Sequence, residues 1–150
     1  MEMLIRELMM HSAQLTETDI IEIKAQKSKQ SCSDEHINIE TKVTSETISE
    51  QEGYSYIQVS LIPESGNFTF SATVRGKFET KEPIERETFE RFLLAQGVRI
   101  LWSYVREIIY DLTGKMLRNA ILLPTLDVVK TLAKAKINGD VENDKNSRIE

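Results

Sequence analysis

Apolar and polar residues alternate through the first half of the chain, then change rhythm. Within residues 68–78, Phe68, Phe70, Ala72, Val74 and Phe78 fall on one side, and Thr69, Ser71, Thr73, Arg75 and Lys77 on the other. A period of two predicts a β-strand with one dry and one polar face. Residues 54–61 repeat the pattern with Ile57, Val59 and Leu61, and Pro63-Glu64-Ser65-Gly66-Asn67 between them reads as a hairpin turn. Residues 37–43 supply a third strand and residues 21–25 part of a fourth. The polar stretch 26–36 reads as a mobile loop. The first ten residues fit both a helical stripe (Met1, Leu4, Ile5, Leu8, Met9) and an irregular strand.

Beyond residue 82 the spacing becomes helical. Pro83 suits the first turn of a short helix, where its missing N–H is not needed, and Phe89, Phe92 and Leu93 form the apolar stripe. Gly97 marks a break. Over residues 98–113, Val98, Leu101, Trp102, Val105, Ile108, Ile109 and Leu112 recur at i, i+3, i+4 and i+7. Ile100, Tyr104 and Tyr110 widen that stripe beyond the roughly 100° that packing on one surface needs, so this helix is expected to touch a second surface. Gly114 is expected to stop it, and a last helix to begin near Pro124 with Val128, Val129 and Leu132 inward. Residues 136–150 are polar and read as a disordered tail after a domain spanning residues 1–135. Strands first and helices afterwards predict an α+β fold with an antiparallel sheet.

Composition narrows the function. The chain has 150 residues, a net charge of −5 and one cysteine. An acidic balance argues against nucleic acid and against an anionic membrane surface as partners. No apolar run approaches the roughly 20 residues of a membrane span. A lone cysteine fits a reducing compartment, and a cytoplasmic location is expected.

Candidate chemistry is sparse. No Gly-rich phosphate loop, HExxH or CxxC occurs. Cys32 and His36 are four apart, but a zinc site there would need two further ligands. His11 has no local partner motif. Glu85, Glu87 and Glu90 read as the solvated side of a helix, and Arg75 and Lys77 as solvated or edge-protecting charges. No catalytic residue, cofactor or metal is expected, so the chain reads as a non-enzyme.

Specific motifs lie between Phe68 and Leu126. A strand carries Val74-x-Gly76-x-Phe78. Phe92 and Leu93 precede Gly97-Val98-Arg99-Ile100-Leu101-Trp102-Ser103-Tyr104-Val105-Arg106-Glu107, and Leu112-Thr113-Gly114 and Leu122-Leu123-Pro124 follow. This succession resembles the SecB family of protein-export chaperones. Ser103 stands where the family often has Pro, and Met116-Leu117-Arg118-Asn119-Ala120 replaces its aromatic-and-proline run. Thr125-Leu126-Asp127-Val128 replaces its Val-Asn-Phe. The acidic residues that SecB presents to the SecA motor have no counterpart in Ser71-Ala72-Thr73, which counts against SecA as a partner.

The resemblance implies a four-stranded antiparallel sheet with helices packed on one face, assembled as a homotetramer (a dimer of dimers). It implies an ATP-independent holdase that keeps unfolded polypeptides export-competent in apolar grooves. Trp102, Tyr104, Leu122, Leu123 and Leu126 are the expected client-binding residues, and Val98, Leu101, Val105, Ile108, Ile109 and Leu112 the expected oligomer interface. Divergent relatives serve one partner, such as an antitoxin, which is the second reading. A small α+β enzyme is the third, and it would need a pocket with convergent polar groups.

Overall fold

A computed structural model of the chain describes residues 11–27, 36–117, 119–127 and 130. Four strands form one antiparallel sheet: β1 (Ala13–Lys27), β2 (Ile37–Thr47), β3 (Glu52–Pro63) and β4 (Phe68–Thr80), in the order β1-β4-β3-β2. The alternation read from the sequence sets the dry face. Phe68, Phe70, Ala72, Val74 and Phe78 of β4 are buried, as are Ile57, Val59 and Leu61 of β3. The β3–β4 turn closes through the Gly66 N–H donating to the Pro63 carbonyl at 3.2 Å, with Gly66 at φ +67°, a conformation glycine adopts without steric cost. β1 is longer than its apolar residues alone indicate. Strand pairing with β4 carries it from Ala13 to Lys27, with register shifts between Leu15 and Glu17 and between Ile20 and Glu22. Residues 26 and 27 therefore belong to this strand, not to a loop. Residues 28–35 of that expected loop, with Cys32, lie outside the described residues, as do the first ten residues and the expected tail.

The helical half differs from its sequence reading in three places. The helix starts at Arg86, three residues after Pro83, because the Ile84 N–H is held by the Glu50 carbonyl at 2.9 Å and keeps this stretch extended. Gly97 does not break it. α1 (Arg86–Phe92) continues through a π-turn (Leu93–Gly97) into α2 (Val98–Met116), and Gly97 keeps helical angles of φ −59° and ψ −46°. The glycine is there for close approach: a Cβ would lie 2.2 Å from Ser55 Oγ and 3.3 Å from Phe78. The Ser55 hydroxyl donates to the Leu93 carbonyl at 2.7 Å and occupies an acceptor at the wide turn. Gly114 does not stop α2 either; the helix runs to Met116 and ends at an extended Leu117.

α2 lies over β3 and β4, and α1 reaches β2. One core cluster joins Ile57, Val59, Leu61, Phe70 and Val74 to Val98, Leu101, Trp102, Val105, Ile109 and Leu123. A second joins Ala13, Phe78, Phe89 and Leu93. Residues 120–127 run back along α2 without regular structure. Lys130 is helical, and its N–H donates to Asp127 Oδ1 at 3.1 Å, an N-cap arrangement. Residues 124–127 are not helical, so the helix expected near Pro124 does not include them, and Val128, Val129 and Leu132 lie outside the described residues.

Candidate functional site

An irregular segment beside a helix has no ladder to satisfy its backbone, so side chains must do so. Three residues of α2 meet this need. The Thr113 hydroxyl accepts the Ile121 N–H at 2.8 Å and donates to the Ile109 carbonyl at 2.6 Å. Arg106 Nε donates to the Leu123 carbonyl at 3.1 Å, and Trp102 Nε1 to the Pro124 carbonyl at 3.0 Å. Leu123 drops into the core between these attachments. The segment is thus clipped along one flank of α2. Beyond the clips an open cleft of about 460 Å³ remains, lined by Arg99, Trp102, Ser103, Arg106, Thr125, Leu126 and Asp127.

Among the expected client-binding residues, the structure brings Trp102 and Leu126 together in this cleft. Tyr104 is elsewhere. Two residues at about 100° each carry it to the far side of the helix from Trp102. Leu122 is 66% exposed but does not line the cleft, and Leu123 is core. Arg99, Arg106 and Thr113 were not expected at the site. The i, i+3, i+7 spacing of Arg99, Trp102 and Arg106 was visible in the sequence; a segment returning along that flank was not.

The expected oligomer interface also needs correction. Val98, Leu101, Val105 and Ile109 are buried beneath this chain's own sheet and have no surface left for a second subunit, and Ile108 and Leu112 are partly buried on the same cluster. The extra width of the stripe remains bare. Tyr104 is 41% exposed, and Ile100 and Tyr110 are also open. A matching bare strip lies on β1. Ile20 and Ile23 stand opposite Val74 and Ala72, hence on the helix-side face of the sheet, yet they are 54% and 39% exposed because α2 does not extend over β1. Leu101 links the two strips: a Cβ on Gly76 would meet both Leu101 and Leu15 of β1, so this flank of α2 faces the β4–β1 seam. Tyr104 and Ile108, three and seven residues after Leu101, share that flank.

The sheet's other face is polar and ion-paired. Arg75 bonds Asp19 and stacks over Tyr54 at 5.1 Å, Lys77 reaches Glu52 at 3.4 Å and Glu79 at 3.0 Å, and Tyr56 donates to Glu46 at 3.1 Å. Among the described residues, no three His, Cys, Asp or Glu side chains cluster as metal ligands would, and no helix is long and apolar enough to cross a membrane.

No protein-family model matches the chain, and no curated protein matches it in sequence. Solved structures do match in fold. A SecB-like chaperone of Mycobacterium tuberculosis, in complex with a ChAD peptide from the HigA1 antitoxin, aligns with a TM-score of 0.64 at 17% identity, over 77% of this chain and 88% of that one. This chain has the SecB-like fold. The four-stranded antiparallel sheet followed by helix, expected from the SecB-like motifs, is therefore shown. A protein of unknown function from Streptococcus agalactiae matches more loosely, with a TM-score of 0.46 at 8% identity over 75% of this chain and 96% of that one.

Proposed function

We propose that this protein is an ATP-independent chaperone that holds non-native polypeptide against α2. The cleft beside Trp102 carries the reading: an open cleft in which Trp102 and Leu126 lie among polar side chains, bordered by a segment held through a few side-chain hydrogen bonds, accepts chains of varied sequence. The SecB-like fold supports it, because the Mycobacterium tuberculosis protein of that fold is a chaperone seen with a peptide. In this reading the subunits associate through the bare β1 flank, with Ile20 and Ile23 meeting their copies or the Tyr104 side of α2, and homotetramers place several clefts along one client. The protein acts in the cytoplasm and keeps preproteins export-competent. SecA is not part of the proposal, since Arg75 and Lys77 occupy the outer face and are already ion-paired.

A second reading, a chaperone dedicated to one partner, is favoured by the antitoxin peptide in that same complex. Trp102 is the sole tryptophan, so its emission reports directly on the cleft. Titration with an unfolded model protein should shift that emission, and the protein should suppress the client's aggregation without nucleotide. Suppression absent at several-fold excess, combined with tight binding to one neighbour-encoded protein, would select the dedicated reading. A Trp102 signal unmoved by any polypeptide would remove both.

A further inference from the structure

We propose that the cleft selects polypeptide segments carrying an acidic side chain beside an apolar one; this rests on the chaperone reading and names its client class. The starting point is an imbalance of charge. Among the described arginines, Arg75, Arg86 and Arg91 each hold a carboxylate. Arg99 and Arg106 hold none, and both line the cleft. An acidic chain, at −5 overall, thus leaves two guanidinium groups without acidic partners in one place.

Their placement suits a client. The two arginines are seven residues apart, about 10 Å along the helix. Trp102, almost wholly buried and fixed by its bond to Pro124, lies between them, and Leu126 supplies the more open apolar lining. Arg106 is half-buried and spends Nε on the Leu123 carbonyl, which orients the guanidinium and leaves its two terminal nitrogens for a client carboxylate. A planar fork held in place binds a carboxylate in two-point fashion, which an ammonium does not. Asp127, which also lines the cleft, caps the Lys130 amide and pairs with the Lys130 ammonium at 4.0 Å. A basic segment would meet two like charges at the same place, so the arrangement also excludes competitors.

The test uses short synthetic peptides of one shared apolar sequence that differ at a single position as Glu, Gln or Lys. Binding to the full chain is followed by Trp102 emission at low and high salt. The Glu peptide should bind roughly three- to ten-fold more tightly than the Gln peptide at low salt, with the Lys peptide weakest, and the preference should shrink as salt screens it. Arg99→Gln, at an exposed position, should reduce the preference without disturbing the fold. Arg99→Gln with Arg106→Gln should bring the Glu peptide level with the Gln peptide, the two being compared within that variant because Arg106→Gln also removes the Leu123 clip. Equal affinities of the Glu and Gln peptides for the parent protein, or a preference that survives the double substitution, would overturn the selectivity alone. No response to any of the peptides would instead overturn the chaperone reading beneath it.

Discussion

Gly97→Ala puts the helix–sheet contact under direct test. By propensity alone the change should help: Gly97 is helical, and alanine is favoured over glycine inside a helix by about 1 kcal/mol. The packing says the opposite. The new methyl would stand 2.2 Å from Ser55 Oγ and 3.1 Å from Ser55 Cβ. Ser55 is wholly buried, and its hydroxyl can swing away only by leaving the Leu93 carbonyl unpaired. Overpacking costs about 1–3 kcal/mol, and an orphaned buried acceptor about 1–3 kcal/mol. Set against the propensity gain, the net loss is roughly 1–5 kcal/mol. At fixed protein concentration the urea midpoint should then fall by roughly 0.5–2.5 M, for a slope near 2 kcal/mol per M. Ser55→Ala supplies the control. It removes the closest clash, so Gly97→Ala should cost clearly less in that background, and the two changes should not add. A Gly97→Ala protein as stable as the parent, or strict additivity, would show that the helix does not rest on the sheet at this point.

Three further outcomes follow from the geometry. Thr113→Val keeps the shape but strands the Ile121 N–H, and should lower unfolding free energy by about 1–3 kcal/mol in urea titrations, with residues 120–127 exchanging amide hydrogens faster. Ile20→Lys with Ile23→Lys changes exposed positions, so the chain should still fold, while light scattering should show the parent as an oligomer and the variant as a monomer; an unchanged mass would exclude the β1 flank as the interface. The Lys77 ammonium is raised above its ordinary value of 10.5, chiefly by its hydrogen bond to Glu79 and also by the nearby Glu52 charge, opposed by desolvation. A raised folded value means a stabilising contribution that is complete below 10.5 and lost progressively as pH climbs through the folded value. The stability difference between the parent and Lys77→Met should therefore be flat from neutral pH to about 10 and shrink above it, and a difference that grows with alkalinity would reverse the assignment.

Much of the sheet was legible because strand alternation is local. Phe70, Val74, Val59 and Leu61 announce their face to anyone counting by two, and their burial follows. The glycines misled for a physical reason. Glycine is a helix breaker when nothing else compensates, but Gly97 serves close approach, since a Cβ there would strike Ser55; at Gly114 a Cβ would only touch Ala120 at 3.4 Å, and the helix simply runs through it. The site was half legible. Trp102 and Leu126 were named from motif positions, whereas Tyr104 is removed by two residues of helical rotation, and Arg106 and Thr113 gain their roles only because residues 120–127 return beside them.

Which residues are dry, where rhythm changes from strand to helix, and that α2 carries more apolar surface than one contact requires are all properties of neighbours along the chain, and the sequence alone determines them. Tertiary structure decided how that surface is spent. It laid α2 across β3 and β4, sank Val98, Leu101, Val105 and Ile109 into the chain's own core, and left Ile20 and Ile23 bare on β1 and Tyr104 bare on α2. It also gathered Arg99, Trp102 and Arg106 against Leu126 into one cleft. Periodicity records the direction in which a side chain points; what covers it depends on segments far away in sequence, brought together when the whole core closes.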